Sequence, residues 1–289
     1  MPDTFDMQQV IAIALDAGKA VMEIYEKDFD VEYKDDKSPL TEADKRAHEI
    51  IVEGLQKISS LPILSEEGKN IPYEERRSWE RYWCVDPIDG TKEFIKKNGE
   101  FTVNIALIEK GEPVAGVVFA PALGELYWAK KGEGAFKARI QDSEFRAPKE
   151  EDIQVLPLEE NRTAGKGLRI VASKSHLNDE TKNFIDSLQN TEPGTQNPEL
   201  VSRGSSLKLV MVAEGSADIY PRLAPTMEWD TAAADAIVRE AGKMTYRYES
   251  EHGTRSTESD TRHPTPDTQN LEPLQYNKEN LLNPWFVVR

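Results

Sequence analysis

The stretch Asp86-Pro87-Ile88-Asp89-Gly90-Thr91 follows an apolar run at residues 82–85 and places two acids at the end of a predicted buried strand. We expect Pro87 to end that strand, because proline has no N–H to donate to a sheet. The chain then leaves the sheet, so that both carboxylates can face the same space. Gly90-Thr91 begins a predicted helix whose free N–H groups attract anions. Alone, the pattern also fits a simple polar turn.

Three further acidic positions lie elsewhere in the chain, in Thr41-Glu42-Ala43-Asp44, Ser65-Glu66-Glu67 and Trp229-Asp230-Thr231-Ala232-Ala233. Carboxylate and carbonyl oxygens are the ligands of hard cations such as Mg²⁺. Each acid has a simpler interpretation: Asp230 as the N-cap of a helix over residues 230–241, Glu66 in a solvated loop, Asp44 in a capping box. Their shared position at element ends favours one site that holds a metal ion and a phosphate.

Composition limits the class of protein. The 289 residues, 30% charged and 38% hydrophobic, fit a globular chain with one large domain or two lobes that share a cleft. Apolar runs such as residues 114–122 are too short to span a bilayer, and residues 1–9 lack a secretory signal. We expect a cytoplasmic location, with peripheral attachment to the inner membrane as an alternative. The single Cys84 fits a reducing compartment, as a core residue or a redox-sensitive thiol.

The net charge is −16, from 52 acids and 36 bases. Such a surface repels polyanions, which argues against a nucleic-acid polymer as the partner. It would repel a small phosphorylated molecule as well, unless metal ions or local Lys and Arg side chains offset the charge. Basic residues near the acidic motifs are therefore expected.

The element pattern predicts an α+β lobe over residues 1–160 and an α/β lobe over residues 161–289, separated near the polar stretch 148–167. Predicted helices cover residues 5–27, 179–188, 205–214 and 230–241, and one more begins at Thr41. Predicted strands cover residues 61–64, 82–85, 101–108, 113–119, 125–130, 168–172, 217–220 and 281–288. Residues 249–272 carry almost no apolar side chains and are expected to form a mobile surface insertion.

The three acidic motifs around Glu66, Asp86 and Asp230 resemble the signatures of the inositol monophosphatase superfamily. More narrowly, three stretches resemble the bacterial 3′(2′),5′-bisphosphate nucleotidases of sulfur metabolism, the CysQ type: Asp89-Gly90-Thr91-Lys92-Glu93-Phe94-Ile95, Gly99-Glu100-Phe101-Thr102-Val103-Asn104-Ile105-Ala106-Leu107 and Gly204-Ser205-Ser206-Leu207-Lys208. The resemblance covers residues 7–242 and 281–288, and the insertion at 249–272 is longer than the family leads one to expect. It implies a layered αβαβα fold of the sugar-phosphatase kind.

The resemblance also implies roles for individual residues. It makes Glu66, Asp86, Asp89, Asp230 and the Ile88 carbonyl the ligands of two or three Mg²⁺ ions. It makes Asp44 and Thr91 the pair that activates the attacking water. Implied substrate-binding positions are Glu66, Ile88, Asp89, Gly90, Thr91, His176, Gly204, Ser205, Lys208, Arg222 and Asp230.

The basic residues among the implied substrate-binding positions also supply the positive charge that a protein of this net charge needs to bind a phosphate. Arg222 can bind a phosphate bidentately, and Lys208 acts as a point charge. Lys208 as an ordinary exposed helix lysine and His176 as a loop histidine remain alternatives.

The implied activity is that of a lithium-sensitive, Mg²⁺-dependent phosphatase. It would remove the 3′-phosphate of adenosine 3′,5′-bisphosphate, and of its sulfated relative PAPS, in a monomer or homodimer that serves sulfate assimilation. The same chemistry on inositol or sugar monophosphates is the first alternative. A non-catalytic domain that binds Ca²⁺ or Mg²⁺ is the second, and the Asp44–Thr91 pair argues against it, since cation storage needs no water-activating threonine.

Overall fold

The computed structural model describes residues 5–27, 31–33, 39–68, 70–141, 145–161, 167–172, 178–191, 198–248 and 272–289. The helices are α1 (Met7–Tyr25), α2 (Glu42–Ile58), α3 (Tyr73–Arg76), α4 (Thr91–Ile95), α5 (Asp179–Thr191), α6 (Leu207–Glu214) and α7 (Glu228–Glu240). The strands are β1 (Val31–Tyr33), β2 (Pro39–Thr41), β3 (Ile63–Ser65), β4 (Arg81–Asp89), β5 (Thr102–Glu109), β6 (Glu112–Ala120), β7 (Glu125–Lys130), β8 (Gly134–Arg139), β9 (Gln154–Val155), β10 (Arg169–Val171), β11 (Glu199–Val201), β12 (Tyr220–Arg222), β13 (Thr245–Arg247) and β14 (Phe286–Val288).

A seven-stranded sheet in the order β3-β4-β5-β6-β7-β8-β9 forms the centre of the molecule. Only β3 and β4 pair in parallel, and the remaining strands pair antiparallel. Successive side chains of a strand point to opposite faces. In β4, Tyr82 and Cys84 therefore join one hydrophobic cluster, whereas Trp83 and Val85 join another. Cys84 is 1% exposed, which confirms the prediction of a core residue.

Helices cover both faces of this sheet. α1 and α2 pack against each other and against β4, β5 and β6, and α7 crosses β4 to β8 on the opposite face with α6 beside it. Outside α6 and α7 lie the three-stranded sheet β12-β14-β13 and the parallel pair β10 and β11. α5 packs on β12 around a third hydrophobic cluster. The result is the layered αβαβα arrangement that the resemblance implied.

One glycine allows α7 to lie close to the large sheet. A Cβ on Gly116 of β6 would stand 2.2 Å from the backbone carbonyl oxygen of Ala233. Because the obstacle is backbone, no side-chain rotation could relieve it. The absence of a side chain at Gly116 thus sets the depth of α7, whose first turn carries Asp230.

Several predicted boundaries are corrected by the structure. Pro87 does not end its strand: β4 continues to Asp89, with a register shift between Asp86 and Asp89. A proline is tolerated where a bulge interrupts the ladder, since its missing N–H is not needed there. α7 begins at Glu228, so Asp230 is not the N-cap. The helix predicted from residue 205 begins at Leu207.

Other elements were missed or fall elsewhere. β8 and β9 were not predicted, the strand predicted at 217–220 lies at Tyr220–Arg222, and the closing strand is limited to Phe286–Val288. The predicted insertion lies outside the described residues except for Glu272. The division into two lobes near residue 160 stays a prediction. Within the described ranges, no helix is both long enough and apolar enough to cross a membrane.

Candidate active site

The end of β4 supplies the centre of the site. Asp86 is 1% exposed and lies on the sheet face covered by α6 and α7, and its Oδ1 has no hydrogen-bond partner among the described residues. Asp89 is half-buried at the strand end, where its Oδ2 accepts a 2.5 Å hydrogen bond from the backbone N–H of Ser206. Gly90 follows with φ +92°, a left-handed conformation that glycine adopts without strain. The turn then places Thr91 at the first residue of α4.

The other predicted acids come from three distant segments. Asp44 is buried in the first turn of α2. Glu66 is exposed directly after β3, and its N–H donates to the Val85 carbonyl at 3.1 Å, which ties it to β4. Asp230 is the third residue of α7, and its Oδ2 accepts from the Met227 N–H at 2.9 Å. The Asp230 side chain therefore satisfies the N-cap backbone instead of being the cap itself.

Mutual repulsion shows that these acids share one region. Burial, and then the charges of Glu66, Asp89, Asp230 and Asp44, raise the pKa of Asp86 well above its usual range. Burial and Asp230 raise the pKa of Asp89 to about 7, although Lys208 and the Ser206 N–H oppose the shift. Burial and Glu66 raise the pKa of Asp230 to about 6, against the opposing effects of the Met227 N–H and Arg222.

The chemistry of this cluster fits a hard cation. Its donors are carboxylate oxygens, one of them buried without a hydrogen-bond partner in the described part of the chain, and a divalent ion would neutralise the repulsion that raises these pKa values. The distances between the side chains are larger than a bound ion would need. Among the described residues, no three His, Cys, Asp or Glu side chains lie close enough to hold a metal ion together. Backbone N–H groups engage one oxygen each of Asp89 and Asp230.

Two cationic side chains face the acids. Lys208 is half-buried on the first turn of α6, with its Nζ donating to the Ser205 carbonyl at 3.3 Å. Burial lowers its pKa, Asp89 opposes this, and Arg222 lowers it further, so the two cations are neighbours. Arg222 donates to the Pro225 carbonyl at 3.1 Å, and its buried Nε has no partner among the described residues. Lys208 is therefore not an ordinary exposed lysine.

The loop before α6 closes the site and contains a residue that the sequence did not single out. A Cβ on Gly204 would lie 2.5 Å from the Glu100 carbonyl oxygen, so this position requires glycine. Ser205 has φ +44°. Ser206 was not predicted, yet its N–H holds Asp89 and its hydroxyl donates to Asn104 Oδ1 at 3.0 Å. His176 lies outside the described residues.

A second missed group anchors the first turn of α7, and we name it the α7 clasp: Arg76, Glu228, Asn277 and Lys278. Glu228 is fully buried and accepts from Lys278 Nζ at 2.6 Å, the Lys278 N–H at 3.0 Å and the Asn277 N–H at 2.7 Å. Arg76 donates to Asn277 Oδ1 at 3.0 Å and the Lys278 carbonyl at 2.6 Å. The α7 clasp fixes the backbone two residues before Asp230.

Comparison with known proteins identifies the family of the chain. Residues 4–278 match the model of the inositol monophosphatase family. The chain belongs to the inositol monophosphatase family. It is 44% identical to the 3′(2′),5′-bisphosphate nucleotidase CysQ of Salmonella typhimurium over 244 residues, which cover 82% of this chain and 88% of that protein. It is 40% identical to CysQ of Escherichia coli K12 over 291 residues, with 98% of both chains covered.

A solved member of the inositol monophosphatase family has the same overall structure. The crystal structure of CysQ from Bacteroides thetaiotaomicron matches with a TM-score of 0.78 and 45% identity, over 98% of this chain and 96% of that one. This match confirms the layered fold that the sequence predicted. The roles of the individual site residues stay predictions, although the described acids and cations that carry them lie in one region.

Proposed function

We propose that this chain is a 3′(2′),5′-bisphosphate nucleotidase, which hydrolyses adenosine 3′,5′-bisphosphate to AMP and phosphate and acts on PAPS as well. The observation that carries the proposal is the meeting of two opposite charge clusters: the acids of β4, α2 and α7 on one side and Lys208 with Arg222 on the other. Membership of the inositol monophosphatase family and the identity to CysQ proteins support the same activity.

The acids are proposed to bind two or three metal ions, and these ions are proposed to be Mg²⁺. Asp86, Asp89, Asp230 and Glu66 would hold the ions together with the Ile88 carbonyl. When bound, Mg²⁺ would lower the pKa of a coordinated water and neutralise phosphate charge. Hydrolysis of a phosphate monoester needs such neutralisation because the uncatalysed reaction is extremely slow.

Thr91 is proposed to orient the attacking water by accepting a hydrogen bond from it, with a carboxylate of the acidic cluster taking up the water's proton. Its hydroxyl donates to the Ile88 carbonyl at 3.4 Å, which directs its own proton away and leaves its lone pairs as acceptors. The sequence predicted that Asp44 fixes this orientation. In the structure the Ile88 carbonyl accepts the bond, and Asp44 is buried in the same acidic cluster.

Lys208 and Arg222 are proposed to bind the second phosphate, which distinguishes a nucleoside bisphosphate from a monophosphate. Arg222 has a buried Nε without a partner among the described residues, a donor that an anion would satisfy. Lys208 lies between Asp89 and Arg222 in electrostatic range of both, so it links the acidic cluster to the second anion site.

The test is a phosphate-release assay with adenosine 3′,5′-bisphosphate and with inositol monophosphate, in Mg²⁺ and in EDTA. Lys208→Ala should reduce kcat/KM for the bisphosphate by the equivalent of about 1.5–3 kcal/mol, which is the value of a hydrogen bond to a charged group. The monophosphate, which lacks the second anion, should lose much less. Lys182→Ala, which removes an exposed lysine paired with Asp179 on α5, is the matched control and should affect neither substrate.

Three results would each refute a part of the proposal. Equal losses on both substrates would make Lys208 a structural residue. A wild-type preference for inositol monophosphate would replace the nucleotidase by the alternative phosphatase, and phosphate release that is unaffected by EDTA would refute the metal requirement.

A further inference from the structure

Two buried polar residues lie in strand β5, on the sheet face that carries the acids. Thr102 and Asn104 are 0% and 1% exposed. The register of the β4–β5 ladder places Asn104 directly opposite Asp86 and Thr102 directly opposite Asp89. Residues opposite each other in an antiparallel pair share a face and lie within side-chain reach. Each proposed carboxylate ligand of β4 therefore has a buried polar partner across the ladder.

A directed series of hydroxyl groups reaches Asn104 from the loop before α6. Ser206 Oγ donates to Asn104 Oδ1 at 3.0 Å. A hydroxyl has one proton, so the 2.8 Å contact between Thr102 Oγ1 and Ser206 Oγ is a bond that Thr102 donates. By the same count, the 3.0 Å contact between Ser205 and Thr102 is donated by Ser205. The direction runs from Ser205 through Thr102 and Ser206 to the carbonyl oxygen of Asn104.

In the structure the carbonyl oxygen of the Asn104 amide faces the loop, and the NH₂ group lies on the other side. Asn104 Nδ2 is buried with no hydrogen-bond partner among the described residues, and Asp86 Oδ1 is in the same state. One of these atoms is a donor and the other an acceptor, on residues that face each other across the ladder. A buried polar atom without a partner is costly and rare in native structures, so the pair requires an explanation.

We propose that Asn104 is a positioning residue of the metal site, an inference that rests on the proposed function. Its carbonyl accepts from Ser206, whose backbone N–H binds Asp89, and its amide donates to Asp86 through one bridging water. A single buried side chain thereby sets the orientation of both β4 carboxylates. Partners of this kind, which bind a metal ligand and not the metal, contribute strongly to metal affinity.

The test measures Mg²⁺ binding to the protein alone by isothermal titration calorimetry. Asn104→Leu keeps a branched side chain with the same number of heavy atoms and removes both amide functions, so its Kd for Mg²⁺ should rise about 10- to 100-fold, which is the usual effect of losing such a partner. At saturating Mg²⁺ the kcat should recover towards the wild-type value with the KM for the bisphosphate unchanged. Thr245→Val is the matched control because it removes another buried polar group, in β13, and it should leave the Kd for Mg²⁺ unchanged.

A second variant covers the case in which Asn104→Leu does not fold. Ser206→Ala keeps the backbone N–H that binds Asp89 and removes only the hydroxyl that orients the amide, so it should weaken Mg²⁺ binding several-fold. Where the double variant folds, it should bind Mg²⁺ no more weakly than Asn104→Leu alone, since both changes act through one amide.

The outcomes separate this inference from the proposed function. A folded Asn104→Leu protein with the wild-type Kd for Mg²⁺ would overturn the inference alone, as would a wild-type Kd in Ser206→Ala if the leucine variant does not fold. A wild-type protein that neither binds Mg²⁺ nor releases phosphate would overturn the proposed function and this inference with it.

Discussion

The α7 clasp provides the sharpest prediction of stability. In Glu228→Ala the fully buried carboxylate disappears, and four donors lose an acceptor: Lys278 Nζ at 2.6 Å, the backbone N–H groups of Lys278 and Asn277 at 3.0 and 2.7 Å, and the Tyr82 hydroxyl at 3.5 Å. Removing one partner of a buried ion pair typically costs about 3–5 kcal/mol. The Lys278 side chain is 27% exposed and can regain some hydration, so we expect the lower end, about 3 kcal/mol.

The measurement is the free energy of unfolding from urea titration at neutral pH, with the m-value as the check that the unfolded state is unchanged. Glu133→Ala is the matched control, because it removes a glutamate that pairs at 2.5 Å with Lys130 but is 57% exposed. An exposed pair of this kind contributes less than about 1 kcal/mol. Glu228→Gln keeps an acceptor for the two N–H groups and should fall between the two variants.

A loss of less than about 1 kcal/mol in Glu228→Ala with an unchanged m-value would contradict this role of the α7 clasp. Such a result would mean that the burial cost of the pair cancels its attraction, as happens in some proteins. It would also remove the argument that the α7 clasp holds the first turn of α7 in place.

Three further predictions concern other regions. Asp89 has a pKa of about 7 in the folded, metal-free protein and about 3.9 when unfolded, so its contribution to stability is complete below about pH 4 and is lost as the pH rises through 7. In EDTA, Asp89→Asn should therefore gain stability relative to wild type between pH 5 and 8. In Mg²⁺ the same variant should lose most turnover; parallel melting curves of the two proteins against pH would contradict the first expectation. Gly116→Ala should cost about 1–3 kcal/mol in urea unfolding, because its Cβ would stand 2.2 Å from the Ala233 carbonyl, and an unchanged midpoint would show that α7 shifts freely. Replacing residues 249–272 by a short Gly/Ser bridge should leave the melting temperature and phosphate release almost unchanged, as their composition predicts, and a large loss of either would show that the segment packs.

The local pattern of apolar residues was sufficient to predict the strands that carry the site. The alternating and apolar runs predicted β4 to β7 to within a few residues, apart from the end of β4, and the acids were sought at element ends, where the structure has them. The errors occurred where tertiary pairing decides the outcome. Pro87 lies inside β4 because a register shift against β5 accommodates it, and no local signal distinguishes such a bulge from the end of a strand.

The missed residues share a physical reason: their partners are far away in the chain. Glu228 and Asn277 meet across about fifty residues, and Arg76 and Asn277 across about two hundred, so no window of sequence contains both partners. Asn104 and Thr102 offered a weak local signal, as alternate polar residues in the apolar run 101–108, but alternation alone does not tell a solvated face from a buried polar site.

The position of β14 has a consequence for how the protein matures. This strand, translated after every other described strand, lies between β12 and β13, and the α7 clasp takes Asn277 and Lys278 from the segment just before it. Chains emerge from the ribosome in order, and their N-terminal parts fold first. A nascent chain that has released every proposed metal ligand up to Asp230 still lacks Asn277 and Lys278, which bind Glu228. It also lacks β14, which pairs with the strand that carries Arg222. We therefore expect the proposed site to be complete only after residues 277–288 have left the ribosome.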